Sequence, residues 1–505
     1  MPRDFVKTGV AGLDTILLGG IPRGNITILA GGPGTGKTTL GLEFLYRGAH
    51  DFDEPGVIVT FEVSPERIVA DAATFGWDLS ALQETGRLKL VSTTRPVFRQ
   101  EIQQSDSLLL TDAAAIGARR IFVDGLAGMA LNTNGNGHPR DIFQLLVEGL
   151  HRENLTAVFA LDAPADRVGL GDISEEFIAD TIIRLSQERH RRNTVRSLEV
   201  VKSRGHHYLA GRHSFRIADG KGVEVYRRVQ MPRSLMRESA APTDLTTRVP
   251  TGIEGLDTLI NGGYLRASTT VVVGISGTGK SVMGLQFLAE GLRRGERGLM
   301  ITLDEPVTQV IRNARAIGID LPSEIERGRL RVWYEPPQEI ELDRHFAEFE
   351  ALIETFQPQR VVVDSLSSYA ASMSREESFR DFFHALISLM REQGITAVYN
   401  FENPEMLGLS SMLADVRASS LVDNIVLLNS VELGDTFRHA LTVAKMRAMP
   451  TTRVTHECEI IDGRGMVVLP REVRLAIPAV PFASYFGLLS RAPERHTPEG
   501  RLEEA

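Results

Sequence analysis

The stretch GGPGTGKTTL runs from Gly31 to Leu40, and GISGTGKSVM runs from Gly274 to Met283. Both fit Gly-x-x-x-x-Gly-Lys-Ser/Thr, with Gly31, Gly36, Lys37 and Thr38 in one, and Gly274, Gly279, Lys280 and Ser281 in the other. Each follows an apolar run, NITILA or TTVVVG, and precedes a run suited to a helix. In that setting the loop makes a nest of backbone N–H groups, and the helix N-terminus adds its dipole; both attract phosphate. The expected contacts are Gly32, Pro33, Gly34, Thr35, Gly36, Lys37, Thr38 and Thr39, and in the second loop Ser276, Gly277, Thr278, Gly279, Lys280, Ser281 and Val282. The lysine reaches the terminal phosphates, and the hydroxyl of Thr38 or Ser281 ligates Mg²⁺. Two loops in register, each after a strand, argue against a chance glycine turn.

The repetition extends well beyond the loops. KTGVAGLDT from Lys7 matches PTGIEGLDT from Pro250, and Lys37 to Lys280 is an offset of 243 residues. VVKSRG at Val200 matches VAKMRA at Val443 at the same offset, Lys202 to Lys445. A period this long marks a duplicated domain rather than a solenoid. Each copy carries short apolar strands, GVIVTF, RRIFVDG, TAVFALD and DTIIRLS in the first, GLMITL, RVVVDS, TAVYNF and DNIVLLN in the second. Continuous apolar strands alternating with helices give an α/β fold, a mostly parallel sheet flanked by helices. The expected domains are 1–240 and 241–490, joined through VQMPRSLMRESAAPTDLTTRVP, with a polar tail over 491–505.

Acidic residues stand at matching strand ends. Asp124 closes RRIFVDG and Asp364 closes RVVVDS, an offset of 240, where an acid holds Mg²⁺ through water. Glu62 in VTFEVSPE, and Asp304 with Glu305 in ITLDEPVT, are candidates to polarise an attacking water or hydroxyl. Lys202-Ser203-Arg204 and Lys445-Met446-Arg447 place a lysine and an arginine on one strand face, a pair suited to phosphate.

Composition narrows the class. The chain has 505 residues, 42% hydrophobic and 24% charged, with net charge −9. That balance suits soluble globular domains and weighs against nucleic acid as a partner. One cysteine, Cys458, allows no internal disulfide and suits a reducing cytoplasm. No apolar run approaches the ~18 residues of a membrane span, and no signal peptide is expected. His206, His207 and His213 have unconvincing metal spacing and are expected to be partly exposed strand or loop histidines.

The doubled loops, the strand-end carboxylates, the TGVAGLD and TGIEGLD preludes and the two Lys-x-Arg motifs resemble the KaiC family over almost the whole chain. The resemblance implies two tandem RecA-like P-loop NTPase domains and a double-ring homohexamer. It further implies ATP between neighbouring subunits, with the Lys-x-Arg pairs reaching the neighbour's nucleotide. It implies a first domain that is an ATPase and a second that is an autokinase and autophosphatase, in circadian timing or stress signalling. The family phosphorylates adjacent hydroxyl residues in its second domain; Ser419 and Ser420 stand there, anchored on Asp423. At the 243 offset the first copy has Glu176 and Phe177, so water is its expected acceptor. Asp304 becomes the base for a neighbour's serine, with Glu305 beside it, where the family has two glutamates; in the first copy Val63 follows Glu62. Ala414 replaces a family threonine, and the short tail differs from the segment KaiA captures, which argues against KaiA as partner. A KaiB-like protein on the first ring stays open. Two rivals share the core: a RecA- or RadA-type DNA-dependent ATPase, and a non-catalytic scaffold that uses ATP only to hold a ring. GLAGMALNTNGNGHPRD after Asp124 lacks the basic density expected of a DNA-contacting loop.

Overall fold

The computed structural model describes residues 4–103, 107–125, 139–162, 179–190, 193–229, 246–373, 376–402, 421–433, 436–447 and 454–473. The chain divides into two units, Met1–Met231 with Glu339–Gln357, and Pro232–Gln338 with Pro358–Ala505.

In the first unit the strands are β1 (Ile26–Gly31), β2 (Gly56–Thr60), β3 (Leu88–Ser92), β4 (Arg120–Asp124), β5 (Thr156–Asp162), β6 (Thr181–His190), β7 (Asn193–Ser203), β8 (Arg212–Ala218) and β9 (Gly222–Tyr226). Their order in the sheet is β3-β2-β4-β5-β1-β6-β7-β8-β9. From β3 to β6 all pairs are parallel; from β6 to β9 they are antiparallel. The second unit repeats this order. Its strands are β10 (Thr269–Gly274), β11 (Gly298–Thr302), β12 (Leu330–Tyr334), β13 (Arg360–Asp364), β14 (Thr396–Glu402), β15 (Asn424–Leu433), β16 (Thr436–Met446), β17 (Thr455–Ile461) and β18 (Gly465–Glu472), arranged β12-β11-β13-β14-β10-β15-β16-β17-β18. These are two tandem RecA-like domains, as the sequence leads one to expect.

Alternation along the central strands builds the core. In β1, Ile26, Ile28 and Ala30 join one apolar layer while Leu29 joins the other. Both faces are therefore covered, as a parallel sheet requires. Helices α1 (Lys37–Asp51) and α2 (Lys280–Arg293) run from the phosphate loops along these sheets. In the first unit, α3 (Leu342–Phe356) packs at β8, where Asp343 accepts N–H bonds from Ser214 at 3.1 Å and Val229 at 3.0 Å. Among the described residues no helix is long and apolar enough to cross a membrane.

A buried arginine sits under each of these helices. Arg120, fully buried, donates to Glu54 at 2.8 Å and to the Phe44 carbonyl at 2.8 Å, with its guanidinium 4.6 Å from the Phe44 ring centre. Arg360 does the same with Glu296 at 2.5 Å, the Phe287 carbonyl at 2.8 Å and the Phe287 ring at 4.6 Å. Gly48 and Gly291 make room, since a Cβ on either falls 2.4 Å from an arginine atom.

The halves differ at one buried helix position. Gln286 on α2 accepts the Met466 N–H at 2.8 Å and donates to the Met466 carbonyl at 3.2 Å. Its counterpart Glu43 on α1, 1% exposed, accepts the Val223 N–H at 2.7 Å. Burial pushes the Glu43 carboxyl up to about 7; the Val223 bond and Arg47 oppose this, and Glu224 adds to it. A raised carboxyl pKa favours the folded state while protonated, so this contribution falls as pH rises from the unfolded value to about 7 and is lost above it. Glu43→Gln should therefore stabilise the first unit relative to wild type more at pH 8 than at pH 5, by about 3 kcal/mol at most. Thermal unfolding at both pH values checks this; an equal difference at both contradicts it.

Candidate active sites

Both loops lie at the carboxyl edge of the parallel strands, where open α/β sheets hold ligands. Gly36 and Gly279 cap α1 and α2 with φ of 97°, a left-handed conformation that glycine adopts without strain. Pro33, Gly34, Ser276 and Gly277 are exposed, while Thr35 and Thr278 are buried. The Thr35 hydroxyl donates to the Gly32 carbonyl and that of Thr278 to the Ile275 carbonyl, both at 2.8 Å, which closes each loop on itself.

Lys37 donates to the carbonyls of Gly31 at 2.8 Å and Gly32 at 2.9 Å and pairs with Asp162 at 2.8 Å. Lys280 donates to the carbonyls of Gly274 and Ile275, each at 2.8 Å. Burial lowers the Lys280 pKa, and the Glu402 and Asp364 charges oppose that. Thr38 donates to Asp124 at 3.0 Å. Ser281 stands at the same place beside Asp364, and its hydroxyl favours the charged carboxylate. Burial raises both aspartates, and the Thr38 or Ser281 hydroxyl is the first influence opposing it.

The expected activating carboxylates join these clusters. The Glu62 charge bears on Asp124, and the Asp304 charge on Asp364. Their supports differ. Glu62 accepts a bond from Arg95 at 2.6 Å, and Arg95 lies over Phe61. Asp304 accepts hydroxyl bonds from Ser365 at 2.8 Å and Ser368 at 2.7 Å. Glu305 accepts from Asn313 at 2.9 Å, and burial followed by the Asp364 charge raises its carboxyl.

The Lys-x-Arg strands serve the segment before β6 and β15. Lys202 donates to the Ala179 carbonyl and Lys445 to the Val422 carbonyl, both at 2.7 Å. The Arg204 N–H reaches the Asp180 carbonyl at 2.8 Å, and the Arg447 side chain reaches Asp423 at 3.2 Å. Ser203 shares a hydroxyl bond with Thr181 at 3.3 Å, and Met446 is buried. Ser419, Ser420, Ala414, Glu176 and Phe177 lie outside the described residues. His213, expected to be partly exposed, is instead buried with both ring nitrogens occupied, by the Leu209 carbonyl at 3.0 Å and the Arg228 N–H at 2.9 Å.

Sequence reading missed the carboxylates beside the lysines. Asp162 pairs in register with Gly31, and Glu402 with Gly274. Their recurrence at the 240 offset, at the ends of strands already recognised, was the available signal.

The site chemistry fits a nucleoside triphosphate with Mg²⁺. Among the described residues no group of three or more His, Cys, Asp or Glu side chains is arranged to hold a metal. Mg²⁺ bound with nucleotide needs no such cage, because phosphate and water supply most ligands. One hydroxyl backed by one aspartate in each site matches that need.

Comparison with known proteins gives the family. The family model described as ATPase: KaiC matches residues 6–230 and 249–473. The chain is 30% identical over 476 residues to the circadian clock oscillator protein KaiC of Picosynechococcus sp., covering 92% of this chain and 89% of that one. It is 30% identical over 514 residues to the circadian clock protein KaiC3 of Synechocystis sp., covering 99% and 96%. With the KaiC of Thermostichus vulcanus it shares 29% over 512 residues, covering 99% and 94%.

Proposed function

The chain belongs to the KaiC family of ATPases, and from that premise we propose that its two sites divide the work: the first hydrolyses ATP, the second phosphorylates the chain's own Ser419 and Ser420. The observation that carries this reading is the contrast in carboxylate support. The two sites keep the same lysine, hydroxyl and aspartate, yet Glu62 is held by a guanidinium and Asp304 by two serine hydroxyls. A carboxylate held by neutral donors at the site edge suits a base for an incoming side-chain hydroxyl.

In the second site, the serine oxygen bonds to the γ-phosphorus as the bond to the β,γ-bridging oxygen breaks. ADP leaves, and the serine proton passes to Asp304. Lys280 neutralises the terminal phosphates, and the loop N–H groups hold the β-phosphate. Ser281 with Asp364, and Thr38 with Asp124, would hold Mg²⁺, which when bound neutralises charge on the β- and γ-oxygens. In the first site Glu62 orients water for the same displacement.

The working assembly in this reading is a double-ring homohexamer with nucleotide at subunit boundaries, where Lys202 with Arg204 and Lys445 with Arg447 face the neighbour's phosphates. The named roles of the relatives support a part in circadian-type timing; stress signalling is the other role this reading allows, in the cytoplasm, with a KaiB-like protein as a candidate partner of the first ring.

The test is incubation of the purified chain with γ-labelled ATP. Wild type should carry label, and a Ser419→Ala, Ser420→Ala double variant should lose it while releasing phosphate at an unchanged rate. Label retained by the double variant removes the kinase assignment, and absence of both label and phosphate release leaves only a scaffold. Phosphate release that single-stranded DNA stimulates many-fold would favour a DNA-dependent ATPase instead.

A further inference from the structure

Asn400 is the polar residue at the second site that no role above uses. It lies on β14 and is fully buried. It pairs in register with Val272 of β10, and its predecessor Tyr399 pairs with Val363 of β13. Parallel register therefore sets Asn400 beside Asp364, on the sheet face toward α2, where Nδ2 lies 3.7 Å from the point a Cβ on Gly284 would occupy. Neither Nδ2 nor Oδ1 completes a hydrogen bond of ordinary geometry, although the amide lies near enough to Asp364 to favour its charged form. Burying an amide in this way costs about 1–3 kcal/mol if nothing ever satisfies it. The neighbouring central-strand positions, Val398 and Phe401, are apolar and equally buried. The first unit manages with Ala160 at this place, paired in register with Asp124. An apolar residue is thus sufficient for the fold, and the amide calls for another explanation.

We propose that Asn400 is a positioning residue of the second site: its amide N–H orients Asp364, and its amide oxygen takes a hydrogen bond from water carried by the divalent cation of the bound nucleotide. The inference rests on the nucleotide-site reading and adds a difference between the sites: the second holds its cation shell with Ser281, Asp364 and Asn400, the first with Thr38 and Asp124 alone. Partners that orient a metal-side ligand typically change metal affinity by 10–100-fold when removed.

The test uses the full chain carrying Lys37→Ala, so that nucleotide binding reports the second site. A fluorescent ATP analogue is titrated first without metal, then with Mg²⁺ at fixed analogue. Asn400→Ala should raise the Mg²⁺ midpoint about 10–100-fold and leave metal-free binding unchanged. Asn400→Thr, which keeps a hydrogen-bonding group, should recover most of the shift. In the reciprocal arm, Ala160→Asn in a Lys280→Ala chain should lower the Mg²⁺ midpoint of the first site. That arm decides the matter if Asn400→Ala does not fold. An unchanged midpoint in Asn400→Ala, or metal-free binding weakened by the same factor, overturns the proposal. If the Lys37→Ala parent binds no analogue with or without Mg²⁺, the nucleotide-site reading itself fails, a result distinct from an unshifted midpoint.

Discussion

Lys280→Ala should abolish transfer of label from γ-labelled ATP to the chain while leaving most phosphate release, and Lys37→Ala should do the opposite. Each lysine is buried and points into its own loop through two carbonyl contacts. An ammonium so placed needs little reorganisation to meet a triphosphate, and that preorganisation is where electrostatic catalysis gains. Alanine removes the charge and leaves the carbonyls facing a phosphate they repel. Losing one preorganised donor costs ~10²–10³-fold in rate, so each variant should lose at least that much of its own site's reaction. Phosphate release and chain-bound label are measured in the same reaction. Equal loss of both activities in both variants would mean that the sites do not divide the work.

Arg120→Ala should destabilise the first unit, and Arg360→Ala the second, by about 3–5 kcal/mol each. The reasoning concerns what is left behind. Each guanidinium offsets a carboxylate, Glu54 or Glu296, and satisfies a helix carbonyl beneath an aromatic ring. Burial lowers both arginine pKa values, and the paired glutamate is the main opposing influence. Truncation takes the close guanidinium from Glu296, leaves Glu54 with only its 2.8 Å pairing to Arg23, and in both units opens a void under the phosphate-loop helix. For domains of this size about 1 kcal/mol corresponds to 2–4 °C, so the affected transition should fall by roughly 6–20 °C. Arg67→Ala, which removes an exposed 3.9 Å contact to Asp71, is the control and should change little. A drop no larger than that of the control would show the buried arginines to be dispensable.

The parts legible in the sequence were those written locally. The loop pattern, its strand and helix neighbours, and the aspartate at a strand end are each short strings, and duplication doubled the signal. The outer strands β7, β8 and β9, with β16, β17 and β18, were not all legible. Their residues are only partly buried, as in RHSFRIA, and lack the continuous apolar runs of the central strands. The partners of the activating carboxylates were hidden for another reason. Arg95 lies 33 residues from Glu62, and Ser365 and Ser368 lie 61 and 64 residues from Asp304. Only the sheet order brings them together, by setting β2 beside β3 in the first unit and β11 beside β13 in the second. The contrast between Glu43 and Gln286 was visible as letters, but its meaning depends on burial that the hairpins β8–β9 and β17–β18 supply.

The most direct test of the division of labour is mass-spectrometric mapping of phosphate on the wild-type chain after incubation with ATP and Mg²⁺. Phosphate confined to the peptide containing Ser419 and Ser420, with free phosphate accumulating in the same sample, is the expected result. Phosphate on peptides of the first repeat, or its absence from the Ser419–Ser420 peptide while ATP is consumed, would contradict it.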